Sequence, residues 1–340
     1  MIHKFLNIRN SLRDLTDEEF EVLLPQLAKE LEGVSFYTEY SDIELLTDWQ
    51  KLLGWNAHTN SMASTQRIGM KLCEHFFPNF YDIEDKKGNS FKSLWTAKNL
   101  ERVLRWNRKS HSTPYLSEIK RGIYFNFGLP KSTMYRPQMA KMVVSNLGGT
   151  QVFDPCAGWG GRMLGAIAAG VELYTAFEPN TETYENLLRL IKFLKVEDRV
   201  RLYKDSALNM NQYNIKDVDV VLTSPPYFDL EVYSHEDTQS ITGCSSYQMW
   251  VDKFLEPLVL GAISTLKPTG WSCWNVHNVG KMKMIDDVAK IHEKFTTKKI
   301  FSVTSSRRQA NQKISTKNEK NSDVTICYSQ NSSTEVEKFF

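Results

Sequence analysis

Between about residue 140 and residue 305 the chain alternates short apolar runs with helix-compatible stretches, and no other feature limits its folds so tightly. The runs lie at 151–153, 173–177, 200–203, 218–222, 271–276 and 299–304, and the stretches at 162–169, 181–194, 247–266 and 282–295. Strand and helix in that order imply a parallel sheet covered on both faces, a doubly wound α/β fold. A last apolar run, 324–328, follows a polar loop with no helix between, so it is expected to pair antiparallel with the strand before it.

Residues 1–130 have a different texture. Amphipathic stretches at 18–31 and 43–53 mix with aromatic and basic loops, without period-two alternation, and predict a mainly helical region that is a candidate for target recognition. The division expected is therefore 1–130, a sheet domain over 131–330, and a tail over 331–340. Acidic residues crowd the first fifty positions, whereas 102–121 and 298–320 are basic, so one face is expected to avoid phosphate and another to meet it. The formal net charge of +2 by itself argues for no partner. Five scattered cysteines, Cys73, Cys156, Cys244, Cys273 and Cys327, lack metal-ligand spacing and fit a reducing cytoplasm, so no metal is expected. The N-terminus lacks a signal-peptide core, and no run of about eighteen apolar residues predicts a membrane span.

The first apolar run leads into Asp154-Pro-Cys-Ala-Gly158-Trp-Gly160-Gly161-Arg162. Glycines there let the backbone approach a ligand, and the following helix start favours polar or anionic groups. The dinucleotide fingerprint needs a small residue where Met163 stands, and a phosphate loop ending in Gly-Lys-Ser/Thr is absent. Glu178 ends the second run, where a carboxylate can accept both hydroxyls of a ribose. Asp205 ends the third, where it can accept from an adenine amine. At the same end of successive strands, beside a glycine loop, the two acids read as an adenosine site.

The fourth run ends in Ser224-Pro225-Pro226-Tyr227-Phe228. Consecutive prolines fix the backbone and remove two donors, leaving carbonyl acceptors. Ser224 adds an acceptor and Tyr227 an aromatic face, a set that suits an amine held beneath a stacked base. Hydrogen bonds to the amine protons help free its lone pair from the ring, and the base has to leave its helix to reach such a pocket.

Over about 135–330 the chain resembles the amino-methyltransferases of DNA, whose signature joins an Asp-Pro-x-x-Gly-x-Gly loop to Ser/Asn/Asp-Pro-Pro-Tyr/Phe. The resemblance implies a seven-stranded, mostly parallel, Rossmann-like methyltransferase sheet with its last strand antiparallel. It implies S-adenosylmethionine, or a modified analogue, held by Asp154, Ala157, Gly158, Gly160, Gly161, Glu178, Asp205 and Ser206. Ser224, Pro225, Pro226 and Tyr227 would be the catalytic motif, and Met134-Tyr-Arg-Pro-Gln-Met-Ala-Lys141 would pack against the methionine end. The implied partner is DNA, in a cytoplasmic, prokaryotic or viral setting of DNA modification. Ser in the first motif position favours cytosine-N(4) over adenine-N(6). Carbon methylation would need a nucleophilic Pro-Cys near the fourth strand, and the only Pro-Cys, Pro155-Cys156, lies in the glycine loop.

Two other functions stay open: an RNA modifier acting on the guanine 2-amino group, and a catalytically silent nucleic-acid binder. The polar stretch 228–249 reads equally as a lid over the base or as a surface loop, with His235 a solvated loop residue. Arg307, Arg308, Lys313, Lys317 and Lys320 could meet phosphate or only solvent. Residues 102–109 place Arg102, Arg105, Trp106, Arg108 and Lys109 at helical spacing, with Trp106 read as core before base contact.

Overall fold

A computed structural model of the chain describes residues 2–57, 67–129, 132–294, 298–304 and 324–329. The basic stretch 305–323, with Arg307, Arg308, Lys313, Lys317 and Lys320, and the tail from 330 onward lie outside the described residues. Helices in the first part are α1 (Asp17–Glu32), α2 (Asp42–Gly54), α3 (Met70–Phe76), α4 (Phe91–Leu94), α5 (Ala97–Lys109) and α6 (Leu116–Phe127). Thr16 with Glu19, and Ser41 with Glu44, form capping boxes that start α1 and α2 one residue before the apolar pattern does.

The chain forms two compact units. The first is Met1–Glu39, Pro78–Thr133 and Asp229–His235; the second is Tyr40–Phe77, Met134–Phe228 and Glu236–Phe340. In the first unit, α1 turns Phe20, Leu24, Leu27 and Leu31 inward at helical spacing to meet Leu100, Val103 and Leu104 of α5 and Ile119 and Ile123 of α6.

The second unit adds α7 (Pro137–Leu147), α8 (Gly161–Ala168), α9 (Thr181–Leu194), α10 (Tyr247–Trp250), α11 (Glu256–Ser264) and α12 (Met284–Glu293). Its strands are β1 (Gln151–Asp154), β2 (Leu173–Phe177), β3 (Val200–Tyr203), β4 (Val218–Thr223), β5 (Leu266–Val276), β6 (Lys298–Thr304) and β7 (Val324–Ser329). They form one seven-stranded sheet in the order β3-β2-β1-β4-β5-β7-β6, with β1 to β5 parallel and β7 antiparallel to both β5 and β6. The doubly wound, mostly parallel sheet with an antiparallel last strand is therefore what this sequence builds. Alternate side chains go to opposite faces: Val152, Val220, Leu222 and Cys273 join α2, α3, α7, α8 and α9 in one apolar core. Among the described residues no helix is long and apolar enough to cross a membrane.

The stretch 247–266, expected as one helix, is broken. A π-helical segment, Val251–Leu255, separates α10 from α11, and Leu266 already belongs to β5. Pro257 lacks the N–H that would reach back one turn, so the hydrogen-bond ladder shifts register just before it.

The strand order reverses between β1 and β4, and ligands in open sheets of this kind sit at such a switch point, beyond the strand C-termini. The glycine loop leaves β1 there and the Ser-Pro-Pro-Tyr segment leaves β4 beside it. Because β1 to β5 are parallel, Glu178, Asp205 and the residues after β5 emerge at the same edge.

Candidate active site

Asp154 is the floor of this edge. It is fully buried, and each of its oxygens takes two donors. Oδ1 accepts from the Cys156 N–H (3.1 Å) and the Thr223 hydroxyl (2.7 Å); Oδ2 accepts from Arg162 Nε (2.6 Å) and the Tyr174 hydroxyl (2.7 Å). Arg162, itself buried, then donates to the carbonyls of Cys156 and Ala157. One carboxylate thus ties β1, β2 and β4 together, and its arginine partner staples the loop from below. The structure places Asp154 underneath the loop, with its lone pairs already used.

The loop above is tightly made. Gly158 and Gly160 hold positive φ of +57° and +72°, which other residues rarely adopt. A Cβ on Gly161 would lie 1.9 Å from the Tyr135 carbonyl oxygen, so the 134–141 segment can cover the start of α8 only because that position is glycine. Ala157 is buried, and its N–H donates to the Phe177 carbonyl at 2.9 Å. Cys156 is half-buried; loss of solvation, with Asp154 nearby, pushes its thiol up, which suits a packed residue and not a nucleophile.

Glu178 and Asp205 form the rim. Glu178 is 8% exposed; Oε2 accepts from the Gly158 N–H (2.9 Å) and Oε1 from the Asn180 N–H (3.0 Å). Burial pushes its pKa up to about 7, against the pull of those two N–H groups. Asp205, two residues past β3, is partly exposed. Desolvation raises its pKa, but hydrogen bonds from Tyr213, Asn209 and Ser206 outweigh that and hold it below the usual range. Oδ1 takes the Ser206 N–H (2.7 Å) and Asn209 Nδ2 (2.8 Å), while Oδ2 takes the Tyr213 hydroxyl (2.7 Å). Ser206 caps the short 3₁₀ turn that follows. Each carboxylate oxygen can accept about two hydrogen bonds. Glu178 therefore keeps an acceptor site on both oxygens and Asp205 keeps one on Oδ2. Two neighbouring hydroxyls and one amine, the polar edges of an adenosine, match that donor-acceptor count.

The Ser-Pro-Pro-Tyr segment is held from β5. The Ser224 hydroxyl donates to the Asn275 carbonyl (3.1 Å) and accepts from Asn275 Nδ2 (3.4 Å). The Tyr227 hydroxyl lies 2.8 Å from His277 Nδ1, with ring centroids 4.4 Å apart. Asn275 and His277, two apart at the strand end, fall on one face and each holds one polar side chain of the motif. Behind them Thr325 donates to Asn275 Oδ1 (3.2 Å) and lies 3.0 Å from the Tyr135 hydroxyl, so the loop cover and the motif share one buried chain of hydrogen bonds. Pro225 is buried and Pro226 half-buried. Tyr227 is only 8% exposed, so the aromatic face expected for a base is covered in this conformation.

Phe228, next in sequence, has a positive φ of +35° and packs its ring against Tyr247 and Trp250. A non-glycine there is strained, and such strain is kept where a site needs it. Residues 229–235 belong to the first unit: Val232 exchanges backbone hydrogen bonds with Glu84, Glu231 binds Ser132 and Tyr233, and Asp229 pairs with Lys86. His235 is largely exposed, 3.4 Å from Glu84. At Glu236 the chain rejoins the second unit and accepts from the Thr181 N–H at the start of α9. Arg162, Tyr174, Thr223, Tyr213, Asn275 and His277 were not foreseen from sequence. Among the described residues no cluster of His, Cys, Asp and Glu could hold a metal.

A family model described as "Conserved hypothetical protein 95" matches residues 129–242. No curated protein matches the chain. Among solved structures, TrmN from Thermus thermophilus is 12% identical with a TM-score of 0.41, over 57% of this chain and 48% of its own. An rRNA methylase from Streptococcus thermophilus is 12% identical with a TM-score of 0.39, over 58% of this chain and 98% of its own. A SAM-dependent O-methyltransferase from Thermotoga maritima is 12% identical with a TM-score of 0.39, over 62% and 71%.

Proposed function

We propose that this protein is an S-adenosylmethionine-dependent methyltransferase that modifies an exocyclic amino group of a DNA base, cytosine before adenine. The reading rests above all on the state of Ser224. Its hydroxyl proton goes to the Asn275 carbonyl and one of its lone pairs to Asn275 Nδ2, which leaves one acceptor site on the oxygen. An acceptor, and not a general base, is what an exocyclic amine needs while its lone pair is turned toward a methyl donor.

S-adenosylmethionine supplies a methyl group on a positively charged sulfur, open to a nitrogen lone pair. Glu178 and Asp205 fit its adenosine through the acceptor sites described above, and the glycine loop, with the 134–141 segment packed on it, would hold the remainder. Asp154 acts here as a positioning residue, because all its hydrogen-bonding capacity goes to the protein. Ser224 and the carbonyl-rich Ser-Pro-Pro backbone hold the amine protons, strengthening as the nitrogen becomes positive, the kind of interaction that raises turnover. Tyr227 walls the base site, its phenol fixed by His277. Tyr227 is 8% exposed, so admitting a base requires the side chains around its ring to move.

The test is direct. Separate incubations of DNA and of RNA with S-adenosylmethionine, digestion to nucleosides and mass analysis should give N4-methylcytosine or N6-methyladenine from the DNA. A methyl group appearing only on guanine of RNA, or on no base at all, overturns the DNA reading.

A further inference from the structure

The first unit carries a surface that the reading above leaves without a role. On α5, Lys98, Arg102, Trp106 and Lys109 recur at four-, four- and three-residue spacing and so share one stripe. On α6, Arg121 and Phe125 are one turn apart. The stripes meet where Trp106 and Phe125 lie nearly parallel, at 18° with centroids 5.7 Å apart. The Arg121 guanidinium spans both rings, 5.2 Å from the Phe125 centroid and 5.9 Å from that of Trp106. Arg102 sits 5.2 Å from the Phe127 ring on the same pair of helices. Close approach is allowed by Gly122, where a Cβ would come within 2.5 Å of Val103 and 3.1 Å of Trp106.

Phe125 is 53% exposed, so its ring can be reached from solvent. Residues 97–127 hold seven Lys or Arg against two Glu. Of these, Glu118 meets Arg121 only in an exposed pair at 3.1 Å, weak in water and easily exchanged for a phosphate. A protein partner would be met by a core depleted in charge. Rings interleaved with guanidinium groups suit instead a strand whose bases stack while its phosphates lie alongside.

We propose that α5 and α6 form a docking platform for an unpaired stretch of DNA. One base stacks on the Phe125–Trp106–Arg121 layer, and flanking phosphates are met by Arg102, Lys109 and Arg121. The choice of DNA rests on the reading of the second unit given above; the stacking and the charge stand without it.

The full chain is titrated into a labelled oligo-dT strand, with fluorescence anisotropy read at several salt concentrations. Phe125→Ala should weaken binding by about 5- to 100-fold, and Phe125→Trp should restore it. The Arg102→Ala, Lys109→Ala, Arg121→Ala triple variant should lower the slope of log affinity against log salt by about 0.7 for each phosphate left unneutralised. S-adenosylmethionine binding by calorimetry should not change in either, which also reports on folding; Phe125→Leu serves if Phe125→Ala does not fold. Parental affinity and slope in these variants overturn the platform and leave the methyltransferase reading standing. Tighter binding of oligo-rU than oligo-dT overturns the choice of DNA. Strand binding that is abolished in the variants, with no methylated base in the parent's nucleoside digest, supports the platform and removes the proposed chemistry alone. A parent that binds neither strand overturns the platform.

Discussion

Asp154 and Glu178 end neighbouring parallel strands, both out of solvent, and yet they do opposite things with their oxygens. Asp154 meets four donors, two on each oxygen, among them a buried guanidinium. Glu178 meets only two backbone N–H groups, and burial lifts its pKa to about 7. A carboxylate satisfied from all sides stabilises its surroundings; one left short of donors is held for something else. The difference separates the floor of the site from its rim better than sequence position does.

The largest effect should follow removal of the floor. Asp154→Ala strands Arg162 as a buried charge and leaves the Tyr174 and Thr223 hydroxyls short of an acceptor. Breaking such a pair from one side costs about 3–5 kcal/mol, to be read by denaturant unfolding of the two proteins. A loss under about 1 kcal/mol would mean that the glycine loop does not hang on this carboxylate, and the comparison would break at its first limb.

Glu178→Gln tests the rim. The folded state holds a proton at Glu178 up to about pH 7, whereas the ordinary value for the group is 4.5. Between those values the folded chain binds more protons than the unfolded one, so stability from this group falls as pH rises through the window. The full cost above pH 7 is on the order of 3 kcal/mol. His292, with its pKa lowered to about 4 by burial, loses stability in the opposite direction, as pH falls from 6.5 toward 4. The difference between parent and Glu178→Gln isolates the acid. Glutamine offers only one acceptor oxygen to the Gly158 and Asn180 N–H groups, so the variant should melt below the parent under pH 4.5, lack the parent's fall in stability between pH 4.5 and 7, and bind S-adenosylmethionine less well throughout. A variant that keeps the parent's pH dependence and full cofactor affinity returns Glu178 to an ordinary strand end.

Asp205 lies between these limits. It is partly exposed and its lowered pKa marks a carboxylate whose charged form the fold stabilises, so Asp205→Ala should cost some stability at neutral pH, less than Asp154→Ala, and weaken cofactor binding by about 1.5–3 kcal/mol, the worth of one hydrogen bond to a charged group. Calorimetry with S-adenosylmethionine decides it; equal affinity in parent and variant removes Asp205 from the rim.

The sheet was legible because its signal is periodic. The segments 173–177, 181–194 and 200–203 match β2, α9 and β3 residue for residue, since apolar runs and caps lie next to one another in sequence. The glycine loop and the Ser-Pro-Pro-Tyr segment were legible because their residues are contiguous. What supports them was not. Asp154 finds Tyr174 and Thr223 across two strands, and Ser224 finds Asn275 fifty-one residues on. No local pattern announces a partner brought in by strand order. One signal was available: Asn275 and His277 alternate at the end of an apolar run, at the edge already assigned to the site. The break in 247–266 was likewise written in Pro257, overridden by an otherwise helical pattern.

The smallest effect expected is also the most discriminating. Tyr227→Phe removes the hydroxyl held 2.8 Å from His277 Nδ1 and keeps the ring, a loss of about 1 kcal/mol if the bond only orients the side chain. His277→Ala removes the same bond from the other side, together with the ring packed at 4.4 Å. If His277 acts through Tyr227, the double variant should lose little more turnover than His277→Ala alone, a departure from additivity that touching residues show. Tyr227→Ala, which also deletes the aromatic wall, should weaken duplex binding as well as turnover by about 1–3 kcal/mol, the worth of one base stack. Single-turnover methyl transfer and binding of the same duplex, measured for all four, separate the outcomes. Additive losses would place His277 on a path of its own. Parental turnover in Tyr227→Ala would reduce the Ser-Pro-Pro-Tyr segment to a rigid turn, and the contrast between a closed floor and an open rim would then stop at the cofactor.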